Sequence, residues 1–206
     1  PEPEVVLAVD SKARIVGATL GNDVNLRDFE GRSALLLGKS KDNNGSPAIA
    51  PFIRLFDDTF SLDDVRRADL TLTVHGTDGF VLEGHSTMRE ISRDPLELVA
   101  QTTAMHQYPD GFVLFCGTLF APTQDRGAPG SGFTHHVGDV VRIRSARLGE
   151  LVNRVEKSET LAPWSYGVRE LMHDLRLVAE VELVVPDDGA GRAGQGSLWP
   201  WGRISA

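Results

Sequence analysis

Two apolar, β-branched runs near the start constrain the fold most: EVVLAV over residues 4–9 and IVGATL over residues 15–20, joined by a turn at Asp10-Ser11-Lys12. Runs of this kind read as strands, and so short a break lets them pair as a hairpin. Side chains at i and i+2 share one face of a strand, so Glu2 and Glu4 project together while Val5, Leu7 and Val9 point the opposite way into a core. If the strands pair, Gly21-Asn22-Asp23 returns a third carboxylate to the same end. Three converging carboxylates repel one another unless a cation compensates them. Oxygen-only ligands suit Mg²⁺, Mn²⁺ or Ca²⁺ rather than Zn²⁺. Spacing alone leaves a second reading open, in which the three are solvated surface groups.

The rest of the chain alternates short strands with turns. A helix is predicted over Asp28 to Leu37, with Gly31 unfavourable inside it, and a polar loop over Lys39 to Pro47. Ile49 to Leu55 reads as a short extended segment interrupted by Pro51, and Ser61 as the cap of a helical turn reaching Arg67. Asp69 to His75 alternates, Gly76-Thr77-Asp78-Gly79 turns the chain, and Phe80 to Glu83 returns as a hairpin. Asp94 caps a helix from Pro95 to His106. Strands follow over Phe112–Phe115, Val140–Arg144 and Leu151–Val155, then a short helix over Trp164 to Leu175. From Pro186 the Gly-rich, aperiodic composition predicts a disordered tail, giving a catalytic domain over 1–185 and a tail over 186–206. Many strands, few helices and many turns specify a β-rich α+β fold.

Composition narrows the function. The 206 residues suffice for one sizeable domain, and a net charge of −8 argues against a general nucleic-acid binder. No apolar run approaches the roughly 20 residues needed to span a bilayer. The single cysteine, Cys116, lies among apolar neighbours and reads as a buried, inert thiol of a reducing compartment, so a cytoplasmic location is expected. The chain opens without Met, which reads as a missing upstream segment. His135-His136 reads as an exposed pair in a Gly-rich loop, and His106 as a helix-end residue. Ser86 lacks a nucleophile elbow, and Trp199 and Trp201 fall in the tail.

The string EPEVVLAV, then GATLGNDVNLRDFE, then GKSKD resembles the fumarylacetoacetate hydrolase superfamily in the order and spacing of its Glu-x-Glu, Asn-Asp-x-x-x-Arg-Asp and Gly-Lys-x-x-Asp motifs. The likeness extends through GFVLFCGT and fades near Lys157. The resemblance implies a mixed β-sandwich roll, and a Mg²⁺ site on Glu2, Glu4 and Asp23. It implies polar active-site roles for Arg27 and Lys39, and a substrate-carboxylate contact for Thr118. A metal there would chelate a small 2-oxo acid and stabilise an enolate. Lys39 then reads either as a proton carrier with a depressed pKa or as a partner of the acidic cluster. Glu30, where hydrolytic members carry Gln, and the segment around GKSKDNNGSPAIAP are nearer to the sugar-acid dehydratase branch. The expected reaction is dehydration of a 2-keto-3-deoxy-pentonate to 2-oxoglutarate semialdehyde. The alternatives are hydrolysis of C–C bonds in acylpyruvate-like substrates and a non-catalytic, metal-binding fragment. A homodimer is also implied.

Overall fold

The computed structural model describes residues 1–182, so the tail expected from 186, with Trp199 and Trp201, lies outside the described residues. The chain divides into two units, 1–162 and 163–206. In the second, the helix expected over 164–175 begins and ends later, at Val168–Glu182. No described helix is long and apolar enough to cross a membrane.

The first unit opens with β1 (Pro3–Val9) and β2 (Ile15–Asp23), paired antiparallel as the hairpin. Asp10 builds its turn: one carboxylate oxygen accepts the N–H groups of Lys12 and Arg14 at 2.9 and 3.0 Å. The helix expected over 28–37 is broken. α1 (Arg27–Glu30) ends at Gly31, Ser33 caps a 3-10 turn by accepting the Leu35 N–H, and α2 (Leu37–Lys41) follows. Glycine weakens the continuous helix, and the serine offers the backbone a competing partner.

Next come β3 (Pro47–Ile49) and β4 (Arg54–Leu55), both on β2, and α3 (Leu62–Arg66). The Asp64 carboxylate ties back to Ser61 N–H at 2.9 Å to start that helix. β5 (Asp69–His75) and β6 (Val81–Thr87) form the second hairpin, longer on its return than the expected 80–83. α4 (Pro95–Thr103) is capped by Asp94, β7 (Phe112–Phe115) pairs with β1, and β8 (Val140–Ser145) with β9 (Gly149–Arg154) completes the strands.

Two antiparallel sheets result, one in the order β3-β2-β1-β7 with β4 also on β2, the other β6-β5-β8-β9. Val5, Leu7, Val9, Ala18 and Leu20 of the first sheet share one core with Leu70, Leu72, Val74, Val141, Ile143 and Leu151 of the second. The alternating burial of β5 is that of a sheet with one wet face. β1 departs from the expected one-sided strand because it is buried throughout, Val6 included. The reason is its central place between β2 and β7. A β-carbon added at Gly21 would lie 2.5 Å from both Val6 and the ring of Phe115, so these side chains close over the face opposite the shared core.

A buried cation locks the long segment between β7 and β8. The Arg126 guanidinium donates to Asp139 at 2.6 and 3.0 Å and to Asp78 at 2.8 and 3.1 Å. Two carboxylates from separate turns therefore satisfy one fork, as burying a charge requires.

Gly17 tests the β2–β4 approach, because a β-carbon there would stand 2.4 Å from the Arg54 carbonyl oxygen, and a backbone atom cannot swing away. Gly17→Ala is expected to cost about 1–3 kcal/mol in urea unfolding. Gly38→Ala, with open space around it, should change stability by less than about 1 kcal/mol. Equal midpoints for Gly17→Ala and the wild type would contradict this packing.

Candidate metal centre

The β1–β2 register decides where the three carboxylates go. Pro3 pairs with Asn22 and Glu4 with Gly21, while the Asp23 N–H donates to the Glu2 carbonyl at 3.1 Å. Glu2, Glu4 and Asp23 therefore occupy one face at one end of the hairpin, and one oxygen of each lies within 4.8 Å of the others. That spacing is about twice a hard-cation–oxygen bond length. Asn22 faces the opposite way. It accepts the Glu2 N–H at 3.2 Å and donates to Asn153 of β9 at 3.1 Å, pinning this end of the first sheet to the second.

The charges here are unevenly matched. Lys41 donates to Glu2 and to Asp23, each at 2.7 Å. Burial works to lower the Lys41 ammonium, but these two carboxylates outweigh it and hold its pKa above the ordinary lysine value. Among the described residues no cation forms an ion pair with Glu4, which is only 4% exposed. Burial pushes its pKa up to about 7, even though the Gly117 N–H donates to it at 2.7 Å and favours the charged form. Among the described residues, three acidic side chains gathered around the Lys41 ammonium form an all-oxygen donor set suited to a further hard cation.

The residues singled out from sequence fall in different places. Lys39 does not reach the carboxylates; its ammonium rests 4.9 Å from the centre of the Phe29 ring, and Lys41 reaches them instead. The two lysines stand two positions apart on α2, about 200° around a helix, so only one can face inward. Arg27 lines the cavity beside the site. Thr118 follows Gly117, the residue whose N–H binds Glu4, and its hydroxyl accepts the Phe120 N–H at 3.2 Å. Buried Ser86 braces this loop by accepting the Leu119 N–H at 3.2 Å, a structural use of a residue without a nucleophile's setting. Cys116 is buried, and burial pushes its thiol up to about 12, which makes it inert.

A cavity of about 960 Å³ opens beside Glu2, with Asn25, Arg27, Phe133 and His135 among its lining residues. His135 corrects the expectation of an exposed pair: its side chain is 16% exposed, against 55% for His136. Its Nδ1 lies 3.2 Å from Asp139, the fully buried carboxylate that Arg126 clamps. Burial drives the His135 pKa down to about 4, against the pull of Asp139. Asn25, absent from the sequence-derived set, donates to Glu2 at 3.2 Å and to Glu30. Its position inside the Asn-Asp-x-x-x-Arg-Asp stretch was the only available signal for it.

Comparison with known proteins bears on the family and the fold. The model for the family described as fumarylacetoacetate (FAA) hydrolase C-terminal matches residues 4–156. A 2-dehydro-3-deoxy-D-arabinonate dehydratase of Saccharolobus solfataricus is 29% identical over 157 residues, covering 76% of this chain and 49% of that protein. A probable 2-keto-3-deoxyxylonate dehydratase of Haloferax volcanii is 28% identical, covering 75% and 50%. Among solved structures, a 2-keto-3-deoxy-D-arabinonate dehydratase complexed with magnesium and 2,5-dioxopentanoate superposes with a TM-score of 0.65 at 29% identity, over 76% of this chain and 52% of that one. The chain spans about half the length of the curated relatives it matches.

Glu4 makes stability depend on pH. A carboxyl raised from 4.5 to about 7 keeps its proton in the folded chain where the unfolded chain has released it. Its contribution is therefore full below pH 4.5 and is lost as pH rises through 7. In chelator-treated protein, wild type is expected to lose about 2 kcal/mol more than Glu4→Gln between pH 5 and pH 8, read from urea midpoints. Parallel pH profiles for the two proteins would contradict the burial of an uncompensated Glu4.

Proposed function

The chain belongs to the fumarylacetoacetate (FAA) hydrolase C-terminal family, and on that premise we propose a magnesium-dependent lyase that dehydrates a 2-keto-3-deoxy-pentonate to 2-oxoglutarate semialdehyde. The observation that carries the reading is the cluster of Glu2, Glu4 and Asp23, of which Glu2 also lines a cavity, with the Lys41 ammonium paired to two of the three carboxylates. These three are the proposed metal ligands. A divalent ion held there supplies Lewis acidity to a bound 2-oxo carboxylate.

The chain's own residues do the rest. Lys41 is the proposed proton carrier in place of Lys39, because its ammonium already lies within the acidic cluster. Added positive charge at the cluster would lower its pKa toward the range useful for removing and returning a carbon-bound proton. Arg27, on the cavity wall, is the proposed partner of the acid's anionic end, and Thr118, on the loop whose Gly117 N–H binds Glu4, is a proposed second contact. The preference for dehydration over C–C hydrolysis is supported by the two dehydratases above, each somewhat under 30% identical.

Turnover of 2-keto-3-deoxy-pentonates and of acylpyruvates, with Mg²⁺ and with chelator, tests the reading. Mg²⁺-dependent loss of water from the sugar acid is expected, with Lys41→Met lowering kcat by about 10²–10⁴-fold. Lys39→Met should change kcat by less than about threefold, as suits a lysine resting on an exposed surface. Cleavage of acylpyruvates instead would move the assignment to a hydrolase. Mg²⁺ binding without turnover of either substrate would leave a non-catalytic metal-binding chain.

A further inference from the structure

Among the described residues, two buried side-chain polar atoms have no hydrogen-bond partner, Asn25 Oδ1 and His135 Nε2. Both residues line the same cavity beside Glu2. A buried, unpaired polar atom costs on the order of 1–3 kcal/mol, so two of them around one space call for an explanation.

Their neighbours determine what each atom offers. The Asn25 amide meets two carboxylates, Glu2 and Glu30, which only accept hydrogen bonds. The NH₂ end must therefore face them, and the carbonyl oxygen is left over. Asp139, ionised by the Arg126 clamp, likewise only accepts, so the proton of a neutral His135 ring resides on Nδ1 and the lone pair on Nε2. Asp139 also receives the His136 N–H at 3.0 Å, which fixes the carboxylate further. Phe133 stands edge-on to the imidazole with centroids 4.9 Å apart and limits its rotation. Both unpartnered atoms are thus acceptors. A ring whose pKa lies near 4 is a weak base at neutral pH, so accepting a hydrogen bond suits His135 better than abstracting a proton.

Resting on the function proposed above, we propose that Asn25 and His135 are specificity-determining residues that accept hydrogen bonds from hydroxyl groups of the substrate. The cavity would then select a hydroxylated 2-oxo acid over an apolar one. Two acceptors without donors are met by a polyhydroxylated chain. An alkyl or aryl acylpyruvate tail carries no donor and would leave both unpaired. A site built to bind a hydroxyl rejects an analogue lacking it far more strongly than an apolar pocket rejects an extra group.

The test compares two ligands that differ by one hydroxyl and cannot lose water from C4, 5-hydroxy-2-oxopentanoate and 2-oxopentanoate. They are titrated calorimetrically into the full chain with Mg²⁺, and the ¹⁵N resonances of the His135 imidazole are followed by NMR in the same samples. The hydroxylated acid is expected to bind about 10-fold or more tightly and to shift the Nε2 resonance, which 2-oxopentanoate should leave in place. In His135→Phe the ratio of affinities should collapse toward one, with His135→Gln, which keeps an acceptor, restoring part of it. The resonance measurement on the unmodified protein stands even if a variant fails to fold. Equal affinities with an unmoved Nε2 resonance overturn the hydroxyl-reading role alone and leave the 2-oxo acid site intact. Failure of both ligands to bind overturns the 2-oxo acid reading and this inference with it.

Discussion

The antiparallel register of β1 against β2 is the constraint on which the site depends. Because side chains alternate at every residue, a slip of β2 by one position would carry Asp23 to the face opposite Glu2 and Glu4 and turn Ala18 and Leu20 away from the core face that Val5 and Leu7 share. The requirement that buries the apolar side chains is therefore the same one that gathers the acidic ones. Packing of the central strand against β7 on one side and β2 on the other offsets the electrostatic cost of the gathered charge.

The second sheet contributes stiffness around this end. Asn22 reaches across to Asn153, Ser86 braces the loop that carries Gly117 and Thr118, and Arg126 fixes Asp139 and with it His135. The first two of these contacts join elements far apart in sequence. The cavity wall consequently has a polar, preorganised side, and its two unpartnered acceptors stand out against a network whose other members are paired.

The hairpin, the carboxylate cluster and the inert cysteine were legible from residue order, because strand alternation and local composition are short-range properties. The long-range parts were not. Lys39 and Lys41 share one motif, and only the short helix that carries them shows which faces the carboxylates. His135 reads as an exposed loop residue until Arg126 and Asp139 draw its segment inward, a tertiary contact no local pattern encodes. The helix expected over 28–37 failed where Gly31 and the Ser33 cap outcompeted helix continuation. The burial of Val6 on the second face of β1 depended on β7 arriving from about a hundred residues further along the chain.

Whether the three carboxylates hold one divalent ion is the claim beneath every functional statement. Titration of Mn²⁺ into chelator-treated protein, with free ion followed by electron paramagnetic resonance, measures it without requiring turnover. The account predicts one tight site per chain, displaced by Mg²⁺ and abolished in the Glu2→Gln, Glu4→Gln, Asp23→Asn triple variant. Absence of binding by the wild type, or binding undiminished in a folded triple variant, would contradict it.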